Sequence, residues 1–366
     1  MITVKYDTAF SPDPFLISRG IDPDKALFFD IETTGLKADY SHLYLIGACT
    51  RKSSGSWVLT QWLGEKPQEE AALLRTFQAF SRPYTTLVHF NGNHFDIPYL
   101  IEKENKYGLD PHFAQMESED IYLNLRPLRK LLKMAHMNQK ALEVFMGTKR
   151  ADPYDGGELI GIYRNWIKDE DPGKLEAVLL HNKEDVEGMA LVMGMYPYLY
   201  LTSPSLFTDR PGWHAALNDE ELVLTMTLPT ALPRPLTLTG KTIPAFLSAS
   251  EKEVLIHVPL CGDELRYFFP NWRDYYYLPV EDQAIHKSVA LSVDSSYRRK
   301  ATPATCYVKK KGFFLPQPVK TYEPAFKKAY EDRIFYFEAT GELISDPVFA
   351  EDYAGMLIPS FMENGK

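Results

Sequence analysis

The segment Ala26-Leu-Phe-Phe-Asp-Ile-Glu32 constrains this chain more than any other. Its apolar run reads as a strand, and the two-residue period of a strand sends Asp30 and Glu32 from the same face. Strand ends are where α/β sheets usually place their sites. Two adjacent carboxylates there are costly unless something cationic offsets them, and hard divalent cations held through oxygen are one such partner. An acid-x-acid pattern alone is weak. It recurs at Glu102 and Glu104, Glu117 and Glu119, Asp169 and Asp171, and Glu251 and Glu253, where it reads as solvated surface. The Leu27-Phe28-Phe29 run in front of the first pair sets it apart.

The surrounding sequence supports a sheet. A turn-rich stretch leads from Thr33 to a second apolar run, Leu43 to Cys49, and a Ser/Gly-rich connection leads to a third, Trp57 to Leu63. Those lengths suit three antiparallel strands. Gln68 to Phe80 places Ala72, Leu73, Phe77 and Phe80 on one helical stripe, and Thr85 to Phe90 reads as a strand. A helix is expected from Ile97, a mostly helical region over Tyr122 to Met146, and a long helix from about Lys174 to about Met195. The fold class expected is therefore α/β, a mixed sheet flanked by helices. Near Tyr200 the character changes. Short alternating runs such as Leu222–Leu228 and Lys252–Val258, separated by Pro, Gly and Asn, suggest a second, β-rich (α+β) domain. The expected domains are residues 1–200 and 201–366.

Composition bounds the function. With 366 residues, 45% hydrophobic and 24% charged, the chain has room for sizeable cores. Its first residues lack the apolar core of an export signal, and no uncharged apolar run reaches the roughly 18 residues of a membrane span. Three cysteines without a CxxC pair offer neither a disulfide framework nor a thiolate zinc site. We read a cytoplasmic, reduced protein with no membrane segment. A net charge of −9 argues against a general nucleic-acid coat, yet Lys287 to Lys328 holds ten basic residues against two acidic ones. Tyr297, Tyr307, Phe313, Phe314, Tyr322 and Phe326 interleave them. Such a stretch suits either a single-strand binding surface or a solvated β face whose aromatics point inward. From Glu331 onward the sign reverses, with eight acidic and two basic residues, as if an acidic tail could lie on the basic stretch and compete with nucleic acid.

Two further constellations stand in the first domain. Asn91-Gly-Asn-His-Phe-Asp96-Ile-Pro98 follows an apolar strand, and on its own Asp96 reads as a helix N-cap. His181 and Asp185, four apart in the long helix, share one face, where a surface pair is the bland reading. Asp120 reads as a cap for the following helix, Glu184 should point away from Asp185, and His89 and His94 read as packed side chains. Together, the four carboxylates Asp30, Glu32, Asp96 and Asp185 with one proton acceptor, His181, are what two-metal phosphodiester hydrolysis needs. In that chemistry two divalent ions about 4 Å apart activate a water and stabilise the leaving oxygen. A histidine's near-neutral pKa lets it take the proton.

The blocks Leu27–Leu36 (LFFDIETTGL), Val88–Leu100 (VHFNGNHFDIPYL) and Leu179–Met189 (LLHNKEDVEGM) resemble those of the DEDD exonuclease superfamily with a ribonuclease H-like fold, nearest its YprB-like branch. The stretches from Asp120 to Leu131, Leu142 to Gly147 and Gly157 to Tyr163 also look like that branch. The resemblance spans roughly residues 24 to 200 and nothing after. It implies a 3′-5′ exonuclease that hydrolyses single-stranded DNA or RNA to nucleoside monophosphates with two divalent cations, Mg²⁺ or Mn²⁺. Asp30 and Glu32 match the first metal ligands, Asp30 bridging both ions, and Asp96 and Asp185 match the other two acids. His181 matches the residue that orients or deprotonates the water. Thr33, Thr34 and Asn91 match positions that contact the terminal nucleotide or brace the acids. One departure stands out: branches with a catalytic histidine space it five before the last acid, and branches with tyrosine space it four before. Here a histidine has the tyrosine spacing, and Leu180 holds the other position. A nucleic-acid-binding scaffold without turnover and a structure-specific endonuclease of the ribonuclease H-like group are the alternatives. The presence of all four acids and the order of the blocks speak for the exonuclease.

Overall fold

Strand β2 (Ala26–Thr33) is buried at every position except Asp30, as its apolar run requires of a strand with neighbours on both edges. The computed structural model, which describes residues 1–9 and 11–362, divides into two compact units, Met1–Arg210 and Pro211–Lys366. In the first unit β2 pairs antiparallel with β3 (Leu43–Arg51) and parallel with β5 (Thr86–His89). β3 continues to β4 (Trp57–Leu63), and β5 to β6 (Glu117–Asp120). The outer edge beside β4 is β1 (Ile2–Thr8), giving the order β1-β4-β3-β2-β5-β6. No strand is expected from the sequence at Ile2–Thr8, although its half-buried residues alternate with exposed Thr3, Lys5 and Asp7 as an edge strand demands.

The helices of this unit are α1 (Asp13–Ser18), α2 (Glu70–Ser81), α3 (Asp96–Tyr107), α4 (Ile121–Leu125), α5 (Leu128–Leu131), α6 (Gln139–Met146), α7 (Gly156–Asp169), α8 (Pro172–Met193) and α9 (Leu199–Thr202). Alternation along β2 sends Leu27, Phe29 and Ile31 into a core with Leu73, Leu74 and Phe77 of α2 and Tyr99 and Leu100 of α3. Each such side chain contributes about 1.5–3 kcal/mol by leaving water. Asp30 and Glu32, on the opposite alternation, face the α8 side. There Tyr44, Leu45 and Leu63 form a second core with Leu159, Tyr163 and Trp166 of α7 and Val178 and Leu179 of α8. α8 begins with Asp171 accepting the N–H of Gly173 and a proline in the first turn. It packs on β2 and β3 and also on α6 and α7, so its apolar residues spread around the helix instead of forming one stripe.

The second unit is β-rich. A five-stranded antiparallel sheet has the order β7 (His214–Leu217), β8 (Glu221–Thr227), β11 (Glu253–Pro259), β10 (Phe246–Ser250), β9 (Leu236–Thr239). β12 (Cys261–Phe268), β16 (Tyr307–Gln317) and β17 (Phe335–Glu338) form a second sheet, and β14 (Gln283–His286), β13 (Tyr275–Leu278) and β15 (Arg299–Lys300) a third. The acidic stretch after Glu331 is built into the fold against part of the basic one, with Glu338 accepting from Lys310 at 2.7 Å, and is not a free tail. It supplies β17, in register with β16, and a terminal helix, Phe349–Met362, that buries Phe349, Tyr353, Leu357 and Phe361. Strand pairing and apolar burial place the segment. In the basic stretch, Tyr307, Phe314 and Phe326 are buried, while Tyr297 and Phe313 are exposed. Lys287, Lys309, Lys310 and Lys320 are ion-paired. No helix among the described residues is long and apolar enough to cross a membrane.

Candidate active site

The register of β2 on β3 sets the first two acids. Asp30 lies opposite Gly47, and the pairing shifts by a bulge between Glu32 and Thr33, where the chain leaves the sheet. A Cβ on Gly47 would stand 2.1 Å from the Asn182 side-chain oxygen, so glycine is the residue that admits Asn182. Asn182, fully buried in α8, donates to Asp30 Oδ2 at 2.9 Å and accepts from Gln61 Nε2 at 2.8 Å. That chain of bonds fixes which way the Asp30 carboxylate points.

Asp96 comes from the turn after β5. His89 Nδ1 accepts the N–H of Gly92 at 2.9 Å, and Asp120 Oδ1 accepts that of Asn91 at 3.0 Å. Asn91 takes a positive φ of 63°. The turn brings Asp96 back over β2, where its Oδ1 accepts the N–H of Ile31 at 3.4 Å. Asp96 therefore does not cap a helix. It is the first residue of α3, Phe95 holds the cap position, and the carboxylate is turned toward the acid strand. Asp120 does cap, accepting the N–H of Leu123 at the start of α4.

The remaining groups come from α8. His181 Nε2 lies 3.1 Å from Asp185 Oδ2 and 3.7 Å from Glu32 Oε1. Glu32, His181 and Asp185 can each offer one ligand atom, all within 4.8 Å of one another. Glu184 points elsewhere and accepts the N–H groups of Ala151 and Asp152 at 2.9 and 3.0 Å. From that same segment Asp152 reaches His181 Nδ1 at 2.6 Å, and Arg150 Nη1 donates to Asp185 Oδ1 at 2.6 Å. Arg150 is itself held by Glu143 at 2.5 and 2.7 Å.

Crowding of acids out of water shifts their protonation. Burial pushes the Asp30 carboxyl well above its ordinary range, with Asp185, Glu32 and Asp96 adding to the effect and the Asn182 bond opposing it. Burial raises Glu32 to about 8 against the pull of His181, and raises Asp96 to about 7. Asp185 moves the other way: burial alone would raise it, but bonds from His181 and Arg150 outweigh that and lower it. The His181 ring is raised to about 9, because its bond to Asp185 and the charges around it outweigh burial. Three carboxyls held up in one pocket mean that the site is short of positive charge. The donor set is oxygen with one imidazole and no thiolate, which fits hard divalent cations.

Thr33 and Thr34, expected near a nucleotide, use their hydroxyls on their own loop. Thr33 Oγ1 donates to the Gly35 carbonyl at 2.8 Å, and Thr34 Oγ1 accepts the N–H of His42 at 2.8 Å. Asn91 is half-buried at the turn described above. Sequence reasoning did not single out Asn182, Arg150, Asp152, Glu143 or Gln61. Asn182 is adjacent to His181 and is the one uncharged polar residue of its turn, which is a usable signal. Arg150 and Asp152 look like ordinary loop charges.

Residues 27–196 match the family model described as the RNase_H superfamily. The match falls within the first unit, whose central β2, flanked by antiparallel and parallel partners with acids at its end, has a ribonuclease H-like mixed-sheet arrangement. Over 173 residues the chain is 29% identical to an uncharacterized protein YprB of Bacillus subtilis, strain 168, covering 47% of this chain and 41% of that protein. The chain thus spans about two fifths of the length of that curated relative. E. coli exonuclease I in complex with a dT13 oligonucleotide aligns at 12% identity over 93% of this chain and 75% of that one, with a TM-score of 0.31. An apo exonuclease I aligns at 18% identity over 55% and 56%, with a TM-score of 0.29.

Proposed function

We propose that this protein is a divalent-cation-dependent 3′-5′ exonuclease that hydrolyses single-stranded nucleic acid to nucleoside monophosphates. The observation that carries the reading is the convergence of Asp30, Glu32, Asp96 and Asp185 beside His181, with three of the carboxyls raised by burial and mutual repulsion. Asp30, Glu32, Asp96 and Asp185 would hold two Mg²⁺ or Mn²⁺ ions. When bound, such ions lower the pKa of a water and neutralise charge on the phosphate. The chain's own part is to hold the acids in register through Asn182 and the turn at Asn91, and to aim His181 Nε2 at the cluster, where cations held by Asp185 and Glu32 would offset the charge that raises the ring and leave Nε2 free to accept a proton. Thr33, Thr34 and Asn91 border the acids where the terminal nucleotide would lie. In the second unit, the exposed Tyr297 and the basic run Arg298 to Lys300, with Arg298 stacked 5.1 Å over Tyr276, form the part of the basic stretch best suited to a single strand.

The test is degradation of 5′-labelled single-stranded DNA and RNA with Mg²⁺ or Mn²⁺ by the wild type, Asp30→Ala and His181→Ala. A 3′-to-5′ ladder abolished by Asp30→Ala is expected. Internal fragments would turn the reading to an endonuclease, and binding without cleavage under either metal would turn it to a scaffold.

A further inference from the structure

α6 ends at Gly147, whose φ of +91° stops the helix, and Asp155 caps the start of α7. The segment between them carries charged residues that the hydrolytic reading leaves unused. It is not a loose loop. Glu184 of α8 takes the N–H groups of Ala151 and Asp152, and Lys140 of α6 lies 3.4 Å from Asp152 Oδ2. Asp152 is 6% exposed, and its Oδ1 accepts the N–H of Tyr154 at 3.1 Å. The other oxygen stands 2.6 Å from His181 Nδ1. A carboxylate can only accept, so the proton of that bond sits on Nδ1. Nε2 is then the nitrogen turned to Glu32 and Asp185, at 3.7 and 3.1 Å, and with no cation on those acids it too carries a proton, donated to Asp185.

An imidazole has two nitrogens and a free χ2, so a histidine works as a base only when one nitrogen is tied and the other aimed. In this chain the histidine stands four residues before the last acid, and α8 alone does not decide which nitrogen it presents. We propose that Asp152 is the positioning residue of the site. It acts through His181, holding Nδ1–H so that Nε2 is the nitrogen presented to the water at the acid cluster. The inference rests on the hydrolytic reading of that cluster for its function, while its geometry is testable without hydrolysis.

Two measurements on the full chain decide it. In the metal-free protein, ¹H–¹⁵N spectra of the histidine rings should show for His181 an Nδ1-bound proton, shifted downfield and protected from exchange. Asp152→Asn should move or remove that signal, and Asp155→Asn, on the α7 cap, should leave it. An Asp152→Asn ring signal identical to the wild type overturns the proposal. In oligonucleotide hydrolysis with Mg²⁺, Asp152→Asn should lower kcat about 10²-fold with KM unchanged, the scale of general-base catalysis. On a His181→Ala background it should cost nothing further, since a residue acting through His181 has nothing left to act on. A wild-type kcat in Asp152→Asn, or losses that multiply with His181→Ala, overturns it. Should Asp152→Asn fold poorly, Glu184→Gln weakens the hold on the same segment and should lower kcat in the same direction. If the wild type cleaves nothing with either metal, the hydrolytic reading fails while the ring-proton experiment still decides the role of Asp152.

Discussion

Asp96→Asn should stabilise the metal-free protein at pH 8. Its folded carboxyl holds a proton up to about 7, whereas the ordinary value is 3.8. Between those values the folded state binds more protons than the unfolded one, so stability falls as pH rises through that window and stays low above it. At about 1.4 kcal/mol for each pH unit, the gap sets a ceiling of about 4 kcal/mol. Coupling to the neighbouring acids lowers what one substitution recovers, to about 2–4 kcal/mol. Asparagine keeps an acceptor for the Ile31 N–H and carries no charge. For a unit of this size, each kcal/mol moves Tm by about 2–4 °C, so the transition of the first unit should rise by about 4–16 °C. Calorimetry in EDTA from pH 4 to 8 is the assay. The Asp96→Asn advantage should be absent near pH 4, grow to about pH 7 and then level off. Adding Mg²⁺ should raise the wild-type Tm more than the variant's, because the ion binds the folded acids. A variant Tm at or below the wild type at pH 8 in EDTA would refute the electrostatic account of the site.

Gly47→Ala should displace Asn182 from Asp30, costing about 1–3 kcal/mol in urea unfolding by overpacking, together with a larger loss of hydrolysis than that destabilisation explains. Arg150→Met leaves Glu143, 2% exposed, without its cation and with Gln139 still donating to it, and should cost about 3–5 kcal/mol, much of which Arg150→Met with Glu143→Gln should restore. Chelation should abolish hydrolysis reversibly, with activity returning on Mg²⁺ or Mn²⁺ and not with Asp30→Ala. Arg298→Ala and Lys300→Ala should each flatten the salt dependence of single-strand affinity, by about 0.7 in the log–log slope for each phosphate no longer neutralised.

Much of the first unit is written locally. The apolar run at Leu27–Phe29, the stripe of Leu73 and Phe77, and the capped, proline-led start of α8 each declare an element within a dozen residues, and the sheet order follows from short connections. The strand Ile2–Thr8 is equally legible, in the alternation of Ile2, Val4 and Tyr6 with Thr3, Lys5 and Asp7. Lys103 and Glu70 were not legible. They form a fully buried ion pair at 2.6 Å, yet in sequence they are two charges on the polar sides of two helices.

The same division runs through the site. Spacing alone aligned Asp30 with Glu32 and His181 with Asp185, since strand and helix periods act over two and four residues. Only the tertiary structure turned Asp96 from a cap position to the acid strand, and only it brought Asp152 and Arg150 to His181 and Asp185, 29 and 35 residues away, and Asn182 to Asp30, 152 residues away. No local period reaches that far. Those bonds exist because Glu184 clips one segment and Gly47 leaves room for one side chain, and both depend on how α8 packs across the sheet.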